Sequence, residues 1–276
     1  MPSVLVTGAS RGIGRSIVEH LASRGWDVVA GVRTEQDADA LAKLNPQRIS
    51  TVALDITNAG HIAALADALP PQLDAIVNNA GIVVSGPMET LTVEDWRKQL
   101  DINVVGQFAV TQAVLPRLRQ SRGRIVFISS INGRLSMSLI GAYSASKFAL
   151  EAAADALRME LQPWGVRVVL IEPAQTDTDI WRTADTMVTD VEAALTAEQR
   201  TLYAKHIAGM KKMIPMSQKM AVPAQKVADV VEQALTVRRP RPRYVVGVVP
   251  KLQVALLTTL PTRARDFVLR RAAGQP

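Results

Sequence analysis

Four groups of residues have types and spacings that can do chemistry when taken in chain order: the run TGASRGIG from Thr7 to Gly14, then Asn103, then Ser130, then the pair Tyr143 and Lys147. The last two are four residues apart in an alanine-rich stretch, so a helix puts them on one face. A free phenol has a pKa of about 10, too high for a base near neutrality. An ammonium about 4 Å away, at an effective dielectric of about 20, stabilises the phenolate by about 4 kcal/mol, equivalent to about three pH units. That would make Tyr143 a group able to give and take a proton. Ser130 ends the apolar run RIVFISS, where a hydroxyl can hydrogen-bond a carbonyl or alcohol oxygen; Ser129 and Ser130 could equally cap a loop. Asn103 lies in a helical segment after Trp96, where an amide either bends the helix or holds a water.

The first group follows the apolar run Val4 to Val6 and opens an amphipathic segment, which reads as strand, tight turn and helix. A side chain at Gly8, Gly12 or Gly14 would keep the backbone from a phosphate, or the helix from its strand. The helix start then offers free N–H groups and a positive dipole end to a pyrophosphate. The spacing Gly-x3-Gly-x-Gly departs from G-x-G-x-x-G, and a purely structural β-to-α turn is the alternative.

The elements that must position these groups alternate. Seven apolar runs are expected as strands: Val4 to Val6, Asp27 to Val32, Ile49 to Leu54, Ala75 to Val77, Arg124 to Ser129, Val166 to Ile171 and Tyr244 to Val249. Helices are expected over about Gly12 to Ser23, Asp37 to Leu44, Ala59 to Leu69, Val93 to Gln120, Ser144 to Gln162, Pro223 to Val237 and Lys251 to Arg271. RIVFIS and VRVVLI lack period-two alternation, as strands buried on both faces do, so the fold class is α/β with a parallel sheet covered on both sides. With 276 residues, 48% of them hydrophobic, and no repeat or linker, one domain over 1–276 is expected. Within it, 178–222 reads as a substrate-binding insertion and 250–276 as a basic C-terminal extension.

The absence of cysteine excludes disulfides and thiolate metal sites, and His20, His61 and His206 are scattered, so no metal is expected. The chain enters its first strand within three residues, leaving no room for a signal peptide, and a reducing cytoplasm is the expected setting. The net charge is +7, but residues 238–276 hold nine Arg or Lys and one Asp, leaving −1 elsewhere. No aromatic platform accompanies that tail, which argues against nucleic acid. Leu252, Leu256, Leu260, Phe267 and Leu269, with Arg263, Arg265, Arg270 and Arg271, allow an amphipathic helix at a membrane surface, broken or bent near Pro261; packing on the domain or on a second subunit is the alternative.

Together the motifs resemble those of the short-chain dehydrogenase/reductase family: TGASRGIG, Asp55 with Ile56, NNAG at Asn78 to Gly81, Asn103, ISSING around Ser130, YSASK at Tyr143 to Lys147, and the stretch from Pro173 to Thr178. The resemblance covers about residues 3–180. It implies a single Rossmann-type doubly wound domain and hydride transfer between nicotinamide C4 and a carbonyl or alcohol carbon. Tyr143 would exchange the proton, Lys147 would hold the nicotinamide ribose and lower the tyrosine pKa, Ser130 would orient the substrate oxygen, and Asn103 would anchor a water relay. The resemblance assigns cofactor contacts to Gly8, Ser10, Arg11, Gly12, Ile13, Gly14, Asp55, Ile56, Asn79, Ala80, Gly81, Tyr143, Lys147, Pro173 and Thr178. One departure is Ala174, where the family usually has glycine, which is expected to shift that loop slightly.

An acid at the end of the second strand would favour NAD by bonding the ribose 2′-hydroxyl; this chain has Val32 and Arg33 there, with Arg11 in the turn. Two guanidinium groups can fork onto a 2′-phosphate, so NADP(H) is the expected cofactor, with NAD(H) possible and solvated surface arginines the alternative. YSASKFALEA, the segment from Thr178 to Val222 and RPRYVVG look like the hydroxysteroid and retinol dehydrogenase branch, which implies a lipophilic alcohol or carbonyl substrate. That segment holds five of the nine methionines, Met187, Met210, Met213, Met216 and Met220, which suit a surface that repacks around an apolar ligand or a small core of its own. A 3-oxoacyl-thioester reductase is the runner-up, and a catalytically idle NADP-binding regulator or scaffold is the alternative of another class. The resemblance also implies a homodimer or homotetramer formed through the two long helices.

Overall fold

The structure, a computed structural model, describes residues 1–177 and 184–275. Its centre is a seven-stranded, all-parallel sheet built from β1 (Ser3–Thr7), β2 (Asp27–Val32), β3 (Ile49–Ala53), β4 (Ala75–Asn78), β5 (Arg124–Ile128), β6 (Arg167–Glu172) and a seventh strand, Arg243–Val245. The order runs β3-β2-β1-β4-β5-β6 and then the seventh strand, so the chain reverses direction across the sheet between β1 and β4. At that switch point a crevice opens outside the carboxyl ends of the strands.

Alternate residues of each central strand feed two separate cores, which is why their sequences show no polar face. Val4, Val6, Val126 and Ile128 pack beneath α1 (Gly12–Ser23) and the helix Ala224–Thr236. Leu5, Ile125 and Phe127 pack on the other side, beneath α3 (Ala59–Ala68), α5 (Gln107–Ser121) and α6 (Gly141–Glu160). The expected Rossmann-type sheet with helices on both faces is present.

Several boundaries differ from the sequence reading for local reasons. The helix expected over Val93 to Gln120 is α4 (Val93–Leu100), a π-helical turn over Asp101–Gly106, and α5. The turn widens where Asn103 aims its side chain inward and where Gly106 packs so closely that a Cβ would lie 2.6 Å from the Ile56 carbonyl oxygen. The helix α2 (Glu35–Ala42) starts earlier than expected because Thr34 caps it, accepting from the Asp37 N–H at 3.2 Å. The seventh strand ends at Val245 because Gly247 turns the chain with φ +97°.

Beyond β6, a short β7 (Thr176–Asp177) pairs with β8 (Val222–Pro223) and closes off the excursion that carries α7 (Ala184–Ala194) and α8 (Ala197–Lys219). These two helices share a small core of Val188, Leu195, Ile207 and Ile214, against which Tyr203 and Met210 pack. After α9 (Ala224–Thr236) and β9 (Arg243–Val245) come α10 (Val248–Leu257) and α11 (Thr262–Ala272), separated at Pro261, where the sequence predicted a break.

Candidate active site

The glycine turn and the NNAG segment are joined as one unit across the switch point. Thr7 Oγ1 accepts from the backbone N–H groups of Asn79 (3.0 Å) and Ala80 (3.1 Å), and Asn79 Nδ2 donates to the carbonyls of Thr7 and Gly8, both at 3.0 Å. The packing leaves no room for side chains: a Cβ on Gly8 would lie 2.8 Å from Ala80 Cα, and one on Gly14 would collide with the Gly8 carbonyl oxygen. Gly8 (φ +61°) and Gly12 (φ +55°) supply the left-handed backbone that brings the turn round. Arg11 sits at the N-cap of α1 in extended conformation and makes no side-chain cap, so the first N–H groups of the helix face the crevice without a side-chain acceptor. Such a cradle fits a dinucleotide pyrophosphate.

Around this cradle, Ser10, Gly12 and Ile13 are half-buried, whereas Arg11 and Arg33 are exposed. Ile56 is buried after β3. Asp55 accepts from the hydroxyl (2.7 Å) and N–H (2.9 Å) of Thr57 through Oδ1, and these bonds, more than the charges of Arg33 and His61, hold its pKa below the ordinary carboxylate value. Asn79 and Ala80 are half-buried, Gly81 is exposed and Pro173 is buried. Thr178 lies outside the described residues.

Ser130, Tyr143 and Lys147, the residues expected to handle the proton, lie on two elements that meet at the carboxyl end of the sheet. Ser130 begins the turn after β5, where its Oγ accepts from Asn132 N–H (3.1 Å) and donates to the Pro173 carbonyl (3.4 Å). The first turns of α6 carry Tyr143 and Lys147 toward it, with Ser130 close enough to the Tyr143 phenol to pull its pKa down. The expected electrostatics are not what the structure has. Burial pushes the Tyr143 pKa up, outweighing the pull of Ser130, and no lowering comes from Lys147. The reason is geometric: Lys147 Nζ is 5.8 Å from the phenol ring centroid and donates to the Ile128 carbonyl at 2.8 Å. The lysine is itself desolvated, which lowers its pKa to about 8 against a smaller upward pull from Glu151. In this geometry the phenol is a proton donor at neutral pH.

Asn103 is fully buried and occupied on both ends: Oδ1 accepts from Ile82 N–H (2.9 Å), while Nδ2 donates to the Ile82 carbonyl (3.0 Å) and Ser146 Oγ (3.1 Å). It therefore ties the chain after NNAG to α6, one turn from Tyr143. The sequence reading missed the residues that do the same work beside it. Gln99 accepts from Val84 N–H (2.7 Å) and donates to the Ile82 carbonyl (3.1 Å), and Gln107 donates to the Ala80 carbonyl (2.8 Å). Their signal was present, since Gln99, Asn103 and Gln107 recur every four residues along one helical face.

Between the Val84 to Leu91 loop and α7 lies a cavity of about 570 Å³ lined by apolar residues such as Val84, Leu91 and Met187, together with Ser85, Asp95 and Asp190. Met187 faces this cavity and accepts from Ser85 Oγ at 2.9 Å, whereas Met210 packs in the core of α7 and α8 and Met220 is exposed. The small-core reading thus holds for Met210; the side chain of Met216 is outside the description. Among the described residues, no group of three or more histidine or acidic side chains could hold a metal.

The family model described as short chain dehydrogenase matches residues 2–189. The chain belongs to the short-chain dehydrogenase/reductase family. Its relatives place it in the hydroxysteroid and retinol dehydrogenase-like branch, and like them this dehydrogenase is an oxidoreductase acting on CH–OH groups with a nicotinamide cofactor. It is 35% identical to 17-beta-hydroxysteroid dehydrogenase type 6 of Bos taurus, covering 99% of this chain and 89% of the relative. It is 33% identical to retinol dehydrogenase 5 of Mus musculus with the same coverage, 99% and 89%. It is also 32% identical to an NADPH-dependent 3-dehydrocapnine reductase of Ornithobacterium rhinotracheale, covering 97% and 96%. Among solved structures, a short chain dehydrogenase from Burkholderia cenocepacia in complex with NADP superposes with TM-score 0.76 at 25% identity, over 97% of each chain.

Proposed function

We propose that this dehydrogenase interconverts a lipophilic primary or secondary alcohol and its aldehyde or ketone with NADP(H), with Tyr143 as the general acid and base. The observation that carries the reading is the placing of Ser130, at the carboxyl end of β5, near Tyr143 in the first turns of α6, with Lys147 on the same helix face. When bound, the cofactor supplies or accepts the hydride. Gly8, Ser10, Gly12, Ile13 and Gly14 hold its pyrophosphate, Asp55, Ile56 and Asn79 to Gly81 line the adenosine side, and Pro173 flanks the nicotinamide with Thr178. Ser130 donates to the substrate oxygen and fixes it within reach of the phenol. Tyr143 gives that oxygen its proton during reduction and takes it back during oxidation. Lys147 binds the ribose, and Asn103 holds the loop that frames the site.

Arg11 and Arg33, both exposed at the mouth of the cradle, support NADP(H) over NAD(H), because an ordered pair of guanidinium groups recognises a phosphate dianion better than a hydroxyl. The names of the relatives, together with the apolar side chains Val84, Leu91, Met187 and Val191 in the cavity, support a lipophilic substrate. The chain is read as one domain, with α7 and α8 as its substrate-binding insertion. Exposed Val105 and Phe148, near and on the two long helices, support a homo-oligomer, and exposed Leu252, Leu256 and Phe267 support peripheral membrane contact through the C-terminal extension.

A screen of lipophilic alcohols and ketones with NADPH and NADH, read at the nicotinamide absorbance, tests the reading. It expects turnover with kcat/KM at least about tenfold higher for NADPH, about 1.4 kcal/mol of discrimination. An NADH preference would overturn the cofactor assignment, and turnover confined to acyl thioesters would overturn the substrate class.

A further inference from the structure

Farther along the face of α6 that carries Lys147, two carboxyl side chains lie in the interior. Glu172, the last residue of β6, is fully buried, and Glu151, four residues after Lys147 on α6, is 5% exposed. They share one cation: Arg243 Nε of β9 lies 2.8 Å from Glu151 Oε2 and 3.4 Å from Glu172 Oε1. Its other nitrogen, Nη2, is committed to Asp155 at 2.6 Å, and Asp155 also receives Arg158 at 2.9 Å. From the turn after β5, Arg134 Nη1 approaches Glu172 Oε1 to 3.5 Å.

This set leaves a deficit of donors. Both oxygens of Glu172, Oε1 of Glu151 and the hydroxyl of Ser129 are buried without a hydrogen-bond partner. Two full negative charges with so few donors would be costly in this interior, whereas a proton on Glu172 supplies a donor and removes a charge. Gly133 keeps the chamber tight, since a Cβ there would lie 2.8 Å from Glu151 Cγ and 3.0 Å from Ser129 Oγ.

We propose that Glu172 is a buried, protonated carboxyl beside Glu151, and that this pair positions Lys147 and the Pro173 loop for cofactor binding. The proposal rests on the reading of the site given above. Glu151 lies one helical turn from Lys147, and Glu172 precedes Pro173, whose carbonyl accepts from Ile131 N–H (3.0 Å) and Ser130 Oγ (3.4 Å). With one proton on the pair, Lys147 stays against the Ile128 carbonyl, where it faces the site. Loss of that proton to solvent adds a second anion behind the lysine, draws the ammonium backward and strains the Pro173 loop. Burial, with the Glu151 charge, raises the Glu172 pKa to about 7, against the opposing pull of Arg134 and Arg243.

The sign of the linkage follows. Between the ordinary value of 4.5 and about 7, the folded chain binds a proton that the unfolded chain has lost, so this group's contribution to stability declines as pH rises through that window. Glu172→Gln mimics the protonated acid and cannot ionise. The wild type and this variant are expected to unfold at similar temperature near pH 5, with the wild type falling behind by roughly 5 °C near pH 8. NADPH affinity, measured by fluorescence titration, is expected to weaken about threefold in the wild type between about pH 6 and 8 and to stay flat in the variant. Infrared spectroscopy of the wild type alone should show a buried protonated carboxyl near pH 6 that is gone near pH 8, a readout that survives if the variant fails to fold. A constant offset between the two melting curves, or no protonated carboxyl near pH 6, overturns the buried proton. Equal pH dependence of NADPH affinity in both chains overturns the positioning role. Absence of any NADPH binding would fault the cofactor reading instead, leaving the melting and infrared results to judge the pair.

Discussion

Tyr143 and Lys147 were paired in the sequence by their spacing, and the structure changes what the pair means. The phenol is raised by burial, not lowered by the ammonium, so it holds its proton where a reductase needs a donor. The lysine carries the more sensitive titration. Its pKa of about 8 means that its charge is present below that value and lost above it. For the fold the sign is the opposite of a stabilising pair: the buried ammonium costs stability below about 8, and the cost is relieved as pH rises from there toward the ordinary value of 10.5. For carbonyl reduction, kcat/KM is expected to fall on the alkaline side with a midpoint near pH 8, and Lys147→Met should be slow at every pH with no such limb. A wild-type profile flat up to about pH 9.5 would contradict the role given to the lysine.

At the scale of elements, the positions of the strands were legible because parallel strands buried on both faces leave near-continuous apolar runs, and RIVFIS became β5 almost to the residue. What was not legible was how helices are interrupted. Nothing in the periodicity of Val93 to Gln120 announces a π-helical turn, because the cause is tertiary: the Asn103 amide satisfies the backbone of Ile82, and Gly106 closes on Ile56. The same limit hid Glu151 and Glu172. In sequence, one is an ordinary helical glutamate and the other ends a strand, and only the stacking of α6, β6 and β9 brings them to Arg243. Arg243 lies in the basic stretch 238–276, yet the fold buries much of it.

On the scale of the whole molecule, the charge asymmetry gathers on the C-terminal helices. No helix among the described residues is long and apolar enough to cross a membrane. Yet α10 and α11 expose Leu252 (66%), Leu256 (63%) and Phe267 (58%), more apolar surface than a helix packed on its own domain needs. The chain's end is nonetheless anchored, with Ser138 Oγ donating to Gln275 at 2.7 Å and Gly209 pressed against the Ala273 carbonyl. Binding to anionic vesicles that weakens with salt, and that disappears on truncation after Pro250, is the expected result for a peripheral contact; binding unchanged by truncation would assign the exposed face to another role.

In the proposed function, these features serve one act, the passage of a proton through the Tyr143 hydroxyl. Its most direct test is Tyr143→Phe, assayed side by side for turnover of a lipophilic ketone and for NADPH affinity. Loss of kcat by at least about a thousandfold, with NADPH affinity within about threefold of wild type, is the predicted result. Turnover retained in that variant would contradict it.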